Sequence, residues 1–443
     1  MNIKVHARKT LLAIALTTTL GCLAQQGQDS LQYGGWNRLR IGGYGEMVAA
    51  FKNYGTNRFY GHPEGNAKEH RNTISIPRLV VAGDYKFNSK WILGAEIEFE
   101  SGGTGTAYEF ENTENDEYET EVEKGGEVAV EQFHITRLIN RAFNVRAGHM
   151  VLPIGQNNAH HEPVNFFGTV RPEGETTIVP NTWHETGLEF FGTVGKKLAT
   201  FDYQVQVVAG LNAQGFNRNN WVAGGKQGFF EEDNFTCPAY VGGIDWRGVK
   251  GLRLGAAFYY CANTLDNAEK SHNFSTYTSG KAPLRIYNID GQYRNRFLEA
   301  RANVLWGSLT NSDAISKANN MPYKNTPYSK VMPVAHKAIA WGGEVGLNLK
   351  GVINDERWPE IIPFARYEYY NPQEKIAGGT NAMESSAADR LKTSMWVVGA
   401  NWRPIPGLVV KADFTNRRIG GGKYNHENEF AIGVAWTGWL WKK

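Results

Sequence analysis

The chain has 443 residues, a formal net charge of +3 and 41% hydrophobic residues. So balanced a charge offers no global basic field to nucleic acid, and no apolar run beyond the N-terminus is long enough for a membrane-crossing helix. Glycine (50 residues) and aromatics (12%) are abundant, and the apolar residues stand at alternate positions, as in a transmembrane β-barrel.

The N-terminus reads as an export signal over 1–24, leaving 25–443 as the barrel. Lys4, Arg8 and Lys9 precede a short apolar core, Leu11 to Leu20, and Cys22-Leu23-Ala24 offers small residues for cleavage. Lipidation of Cys22 is the rival reading, with Thr19 standing where such a signal usually has Leu.

Period-two alternation then recurs down the chain. Trp91, Leu93, Ala95, Ile97 and Phe99 alternate with Gly94, Glu96, Glu98 and Glu100. Phe201, Tyr203, Val205 and Val207 alternate with Asp202, Gln204 and Gln206. Leu408, Val410, Ala412 and Phe414 alternate with Lys411, Asp413 and Thr415. Each is a half-buried strand. About sixteen are expected, near 38–51, 72–87, 91–101, 127–138, 142–151, 186–194, 198–210, 238–247, 252–261, 284–293, 296–307, 338–350, 359–371, 391–403, 408–416 and 428–440.

Connections alternate in length. Short turns fall at 88–90, 140–141, 195–197, 248–251, 294–295 and 404–407, with a longer one at 351–358. Long polar loops fall near 52–71, 102–126, 152–185, 211–237, 262–283, 308–337, 372–390 and 417–427. Short inner turns and long outer loops mark an all-β, antiparallel outer-membrane barrel, and sixteen strands are enough to leave an aqueous channel. Trp91, Trp246, Trp402, Trp439 and Trp441 sit beside the short turns, and Tyr260, Trp306 and Tyr369 at the opposite ends, as an interfacial girdle requires. The expected location is therefore a bacterial outer membrane, with lipid outside and small hydrophilic solutes or ions inside.

The third outer loop, 152–185, differs from the rest in holding prolines, aromatics and the apolar pair Ile178-Val179. It is expected to fold into the barrel and narrow it, with His160, His161, Glu162, Arg171, Glu173, Glu175, His184 and Glu185 as constriction residues. Arg171 pairing with Glu173 or a wall carboxylate is the structural alternative. By parity, Arg78, Lys86, Glu96, Glu98, Arg146, Arg253, Arg301, Arg366 and Lys411 face the lumen, among carboxylates that leave no majority sign. Many of these are expected to pair across strands.

His149, His160, His161 and His184 raise the question of a metal, but adjacent side chains on an extended chain point apart and no HExxH spacing occurs. No metal and no cofactor is expected. The acidic stretch 109–127 reads as a solvated outer loop. Cys237 and Cys261 fall opposite each other on a hairpin folded at 248–251, making them a candidate disulfide in an oxidising compartment, with free buried thiols as the alternative. No nucleophile or P-loop motif points to an enzyme.

The run Val145-Arg146-Ala147-Gly148-His149-Met150-Val151-Leu152-Pro153-Ile154-Gly155 resembles the phosphate-selective porin O and P family, in which an R-x-G-x-x-x-x-P-x-G strand end leads into the long inner loop. Asn158 to Pro163 and Arg171 to Glu175 look like a branch common in Bacteroidetes. The resemblance is specific over about 145–192 and implies a sixteen-stranded, trimeric barrel for passive uptake, with anions such as phosphate among the solutes. The inner loop here carries more carboxylate than guanidinium, and Lys442-Lys443 follow the terminal Trp441, so phosphate selectivity does not transfer with the family. A nearly closed barrel acting as an adhesin, or as partner of a surface lipoprotein, is the alternative.

Overall fold

The computed structural model describes residues 36–54, 69–101, 103, 106–112, 118–124, 126–227, 232–268, 280–319, 334–376, 391–420 and 425–442. The expected signal peptide, with Cys22, lies outside the described residues.

Sixteen strands close an antiparallel barrel. In chain order they are β1 (Leu39–Tyr54), β2 (Glu69–Lys86) and β3 (Trp91–Glu100), then β6 (Glu127–Asn140), β7 (Phe143–Val151), β8 (His184–Val194) and β9 (Phe201–Val208). They continue with β10 (Ala239–Trp246), β11 (Leu252–Cys261), β12 (Leu284–Arg294), β13 (Leu298–Leu309) and β14 (Lys337–Leu347). The last four are β15 (Glu360–Lys375), β16 (Thr393–Ile405), β17 (Leu408–Ile419) and β18 (His426–Lys442). Between β3 and β6 a separate hairpin, β4 (Thr106–Asn112) and β5 (Tyr118–Lys124), pairs only with itself. It occupies most of the acidic stretch that the sequence suggests is plain loop. Its alternation is Glu with Thr, Val, Tyr and Phe, residues that suit a strand.

The alternation sorts the two faces as expected. Met47, Ile97, Val205, Leu254, Phe258, Val304, Val398 and Phe414 are exposed, and their sequence neighbours Glu46, Glu98, Gln206, Arg253, Tyr259, Leu305, Val397 and Asp413 are buried or half-buried. A continuous exposed apolar band on a closed sheet is the surface that lipid covers. Trp91, Trp402, Trp441 and Trp306 lie on this outer face, each at least 36% exposed.

Trp439 corrects the expected girdle. The β1–β18 register slips between Ile41 and Gly42, which oppose Trp441 and Trp439, leaving Leu440 as the extra residue. Trp439 keeps the inner parity and packs on Tyr44, Val80 and Ala82, with the Arg40 guanidinium 3.9 Å above its ring. A bulge re-aims side chains, and alternation alone does not reveal it.

Candidate functional site

Residues 152–183 run inside the ring. The polar atoms they meet belong to inner-face side chains of β1, β2, β6, β13, β14, β15 and β17. The segment begins as β7 ends. Gly155 takes φ 89° at the entry to a short helix, α1 (Gln156–Ala159), where a Cβ would overlap the Glu175 carboxylate. A second turn of helix, α2 (Glu173–Ile178), returns the chain toward β8.

Much of the binding that fixes this segment is to its backbone. The Lys411 ammonium donates to the carbonyls of Pro163, Phe166 and Gly168, at 2.5, 2.8 and 2.8 Å. Arg366 donates to the Val170 carbonyl at 3.0 Å, and Arg78 to that of His161 at 2.5 Å. Carboxylates accept from the loop's N–H groups: Glu344 from Phe167, Asp413 from Thr169 and Glu368 from Gly174, at 3.3, 2.5 and 3.1 Å. An irregular buried backbone must find such partners, since an unmet buried group costs about 1–3 kcal/mol.

The expected constriction residues divide sharply. His160 is half-buried on a cavity, while His161 and Glu162 are buried beside it. Glu162 accepts from Asn165 at 2.6 Å, and burial pushes its carboxyl up to about 7. Glu175 is held by the Asn157 and Asn158 amide N–H groups (3.2 and 2.7 Å) and by the Asn157 and Asn303 side chains (3.1 and 3.0 Å). Burial raises it too, to about 7. Glu173 accepts from Tyr370 at 3.0 Å and from both Nε and Nη2 of Arg417. Among the described residues Arg171 pairs with neither Glu173 nor a wall carboxylate. It donates to Asn181 at 2.5 Å and Thr182 at 3.0 Å. Burial, with Arg78 nearby, lowers it to about 10.

His184 and Glu185 lie on β8, not on the loop. His184 meets His149 through Nδ1 and Lys226 Nζ through Nε2, the latter at 2.7 Å. Glu185 accepts from the Trp183 indole at 2.9 Å. Neither lines the cavity.

The expected wall residues face inward, and most of the cations are matched across strands. Arg146 pairs with Glu189 at 2.8 Å, Arg253 with Asp245 at 2.7 Å and with Asp290, and Arg301 with Glu344 at 3.0 Å, while Arg366 pairs with Glu368 of its own strand at 2.7 Å. Lys86 donates to the Trp36 carbonyl near the inner turn. Glu96 accepts from Gln132 at 2.5 Å, and Glu98 is buried. Arg146 of the R-x-G motif therefore ties β7 to β8.

Tyr44, Glu131, Arg403 and Arg417 are inner-face residues that sequence reasoning missed. Arg417 lies just past the expected end of its strand and keeps the parity of Lys411, Asp413 and Thr415. Glu131 is hidden by a bulge: Glu96 opposes Gln132 and Ile97 opposes Val130, so Glu131 and Gln132 both point inward.

A dry sector was also not foreseen. Val208, Val241, Tyr259, Leu284, Ile286, Leu305 and Ala340 surround Ile178, Trp183, Trp221 and Ile315 in one buried cluster. Cys237 and Cys261 belong to it, with Sγ atoms 3.8 Å apart and unbonded.

Beside the segment lies a cavity that opens to solvent. Its lining includes His160, His161, Arg247 and Arg253 against Glu96, Glu162, Asp202, Asp245 and Asp290.

No model of a known protein family matches the chain. An uncharacterized protein of Aquifex aeolicus (strain VF5) is 22% identical over 382 residues, covering 85% of this chain and 75% of that one. Among solved structures, Salmonella typhi OmpF in complex with daunomycin aligns at TM-score 0.54 and 10% identity, over 91% of this chain and 98% of that one. The outer membrane channel DcaP of Acinetobacter baumannii aligns at 0.51 and 11%, over 90% and 97%. An anion-selective porin from Comamonas acidovorans aligns at 0.50 and 9%, over 90% and 99%. The shared feature is the fold. With its apolar outer band, the chain is an outer-membrane β-barrel of porin architecture.

Proposed function

We propose that the chain is a passive-diffusion channel for small hydrophilic solutes and ions, narrowed by residues 152–183. The observation that carries this reading is a charged inner wall inside a sixteen-strand ring, with an inward segment and a solvent-open cavity beside it. The resemblance over 145–192 brings phosphate into view as a solute. The cavity weighs against it, since five carboxylates there face two guanidinium groups, and rings of carboxylate favour cations. We therefore infer a channel that passes small cations and neutral solutes more readily than phosphate. The same resemblance supports a homotrimer, which a mass measurement in detergent tests.

The decisive experiment is single-channel conductance of the purified, folded barrel in planar bilayers, followed by the reversal potential in a salt gradient. A folded barrel with no conductance rejects the channel. A reversal potential on the anion side rejects the inferred preference.

A second reading is favoured by one observation: most wall charges are already engaged by strands or loop backbone. A barrel so filled serves as a scaffold for its outer loops, as an adhesin or as the partner of a surface lipoprotein. Loss of cell or lipoprotein binding on loop deletion, in a barrel that conducts nothing, would establish it.

A further inference from the structure

We propose that Glu96, Glu131 and His161 form a binding site for one divalent transition-metal ion, of which Zn2+ is the type, at the junction of the inner loop with strands β3 and β6. The carboxylate oxygens of the two glutamates and the ring nitrogen of the histidine all lie within 4.8 Å of one another. One imidazole nitrogen and two carboxylates are a donor set suited to zinc and its neighbours.

Three further observations favour an ion there. The first concerns His161. Its Nδ1 lies 2.9 Å from the Asn158 carbonyl, which only accepts, so Nδ1 carries the proton. Nε2 is thereby turned toward Glu131 Oε1, 3.1 Å away, and toward the Tyr44 hydroxyl, 2.8 Å away. A backbone carbonyl orienting a histidine in this way is how metal-binding imidazoles are commonly held.

The second concerns Glu131. It is fully buried; Tyr44 donates to Oε2 at 2.8 Å, and among the described residues Oε1 meets no well-aligned donor beyond the 3.1 Å approach of His161 Nε2. The buried carboxylate needs a positive partner, which either a protonated His161 ring or a cation held by the two groups together supplies.

The third is the local charge. Glu46, Glu98 and Glu162 crowd the same region, where Arg78 pairs with Glu46 at 3.1 Å, so carboxyl groups outnumber the guanidinium groups of Arg78 and Arg171. A divalent cation offsets that excess. His161, Glu96 and Glu162 all line the solvent-open cavity, which gives the ion a path in.

The bound ion would pin the α1 end of the loop to the wall, independently of whether the barrel conducts. A zinc-binding barrel with no conductance would leave this inference standing and remove the channel.

The test is Zn2+ binding to the purified full-length barrel after chelation, by titration calorimetry and metal analysis, with Mg2+ as the competitor. Folding is confirmed by the mobility difference between heated and unheated samples. One Zn2+ per chain is expected, little displaced by excess Mg2+. Glu96→Gln, on the cavity rim, should weaken binding at least tenfold with the folded band unchanged. His161→Gln should abolish it. If His161→Gln does not fold, Glu96→Gln and wild type decide. Wild type that binds no Zn2+, or Glu96→Gln that binds as wild type does, overturns the site.

Discussion

Two sectors of the inner wall hold the same loop by different means. Around β9 to β14 the wall presents Val208, Val241, Tyr259, Leu284, Ile286 and Leu305 to Trp183 and Ile178, with Trp221 of the β9–β10 connection in the same cluster. Around β2, β14, β15 and β17 it presents Arg78, Glu344, Arg366, Glu368, Lys411 and Asp413 to loop carbonyls and N–H groups. The dry sector holds by burial, which salt does not screen. The polar sector satisfies a backbone that forms no regular structure and so fixes where it lies. The lesson is that charges on a barrel's inner parity are not thereby pore charges. Here many of them belong to the loop's own support.

Removing volume from the dry sector should have the largest effect. Trp183 is fully buried, its ring centroid 4.8 Å from that of Tyr259. Trp183→Ala should cost about 3–5 kcal/mol, the range for a buried aromatic cut to alanine. Urea titration of the heat-modifiable folded band measures this. A loss below about 1 kcal/mol would mean that this cluster does not bear on barrel stability.

The same sector holds the cysteine pair. Their sulfurs are already in contact, 3.8 Å apart, and export passes through an oxidising compartment. We expect the isolated protein to carry the Cys237–Cys261 bond. The unfolded, unreduced chain should then take up no alkylating reagent at these two positions, and both should react after reduction. Closing so short a loop contributes about 3 kcal/mol, to be lost on reduction.

In the polar sector Lys411→Met strips three loop carbonyls of their shared donor. Each buried group left unmet costs about 1–3 kcal/mol, less where water enters. The expected readout is local: faster proteolysis within 163–168 and noisier conductance, with the barrel still folded. If Lys411→Met melts the barrel as Trp183→Ala does, the distinction between the sectors fails.

The outer face and strand order were legible in the sequence because lipid and water impose period two on every strand. Expected and observed strands agree to within a few residues, as in 252–261 against Leu252–Cys261. The site was legible only in part. Glu131 was lost to a bulge, which leaves no mark on parity. Arg417 was lost because its strand runs further than its apolar residues do. The dry sector was lost because Val208, Leu284 and Leu305 read as ordinary strand residues until the loop that covers them is known. Which charge meets which loop atom is a long-range fact, joining residues such as Lys411 and Pro163 that are 248 positions apart.

A smaller effect should appear with pH. Glu162 and Glu175 are both raised by burial to about 7 from an ordinary 4.5. A carboxyl raised on folding adds stability that is complete below its unfolded value and is lost as pH rises through its folded value. The loop should therefore be held best near pH 4.5, loosen up to about pH 7 and change little above. Hydrogen exchange of the loop amides would follow this, and Glu175→Gln should flatten the slope. Exchange that slows as pH rises, after correction for the intrinsic rate, would reverse the sign and refute the assignment.

The smallest expected effect belongs to Arg171, and it tests whether the polar sector also touches solute. Arg171 is half-buried and donates to the neutral acceptors Asn181 and Thr182, and no ion pair to it occurs among the described residues. Its charge, retained at neutral pH even with its pKa lowered to about 10, is therefore less cancelled locally than that of Arg146 or Arg366. Arg171→Ala should move the reversal potential toward the cation side by a few millivolts, while the double variant Arg146→Gln with Glu189→Gln, which removes both charges of a β7–β8 tie, should leave it unchanged. An equal shift in both variants would mean that the wall acts through its summed field, and a shift in neither would take Arg171 out of the permeation path.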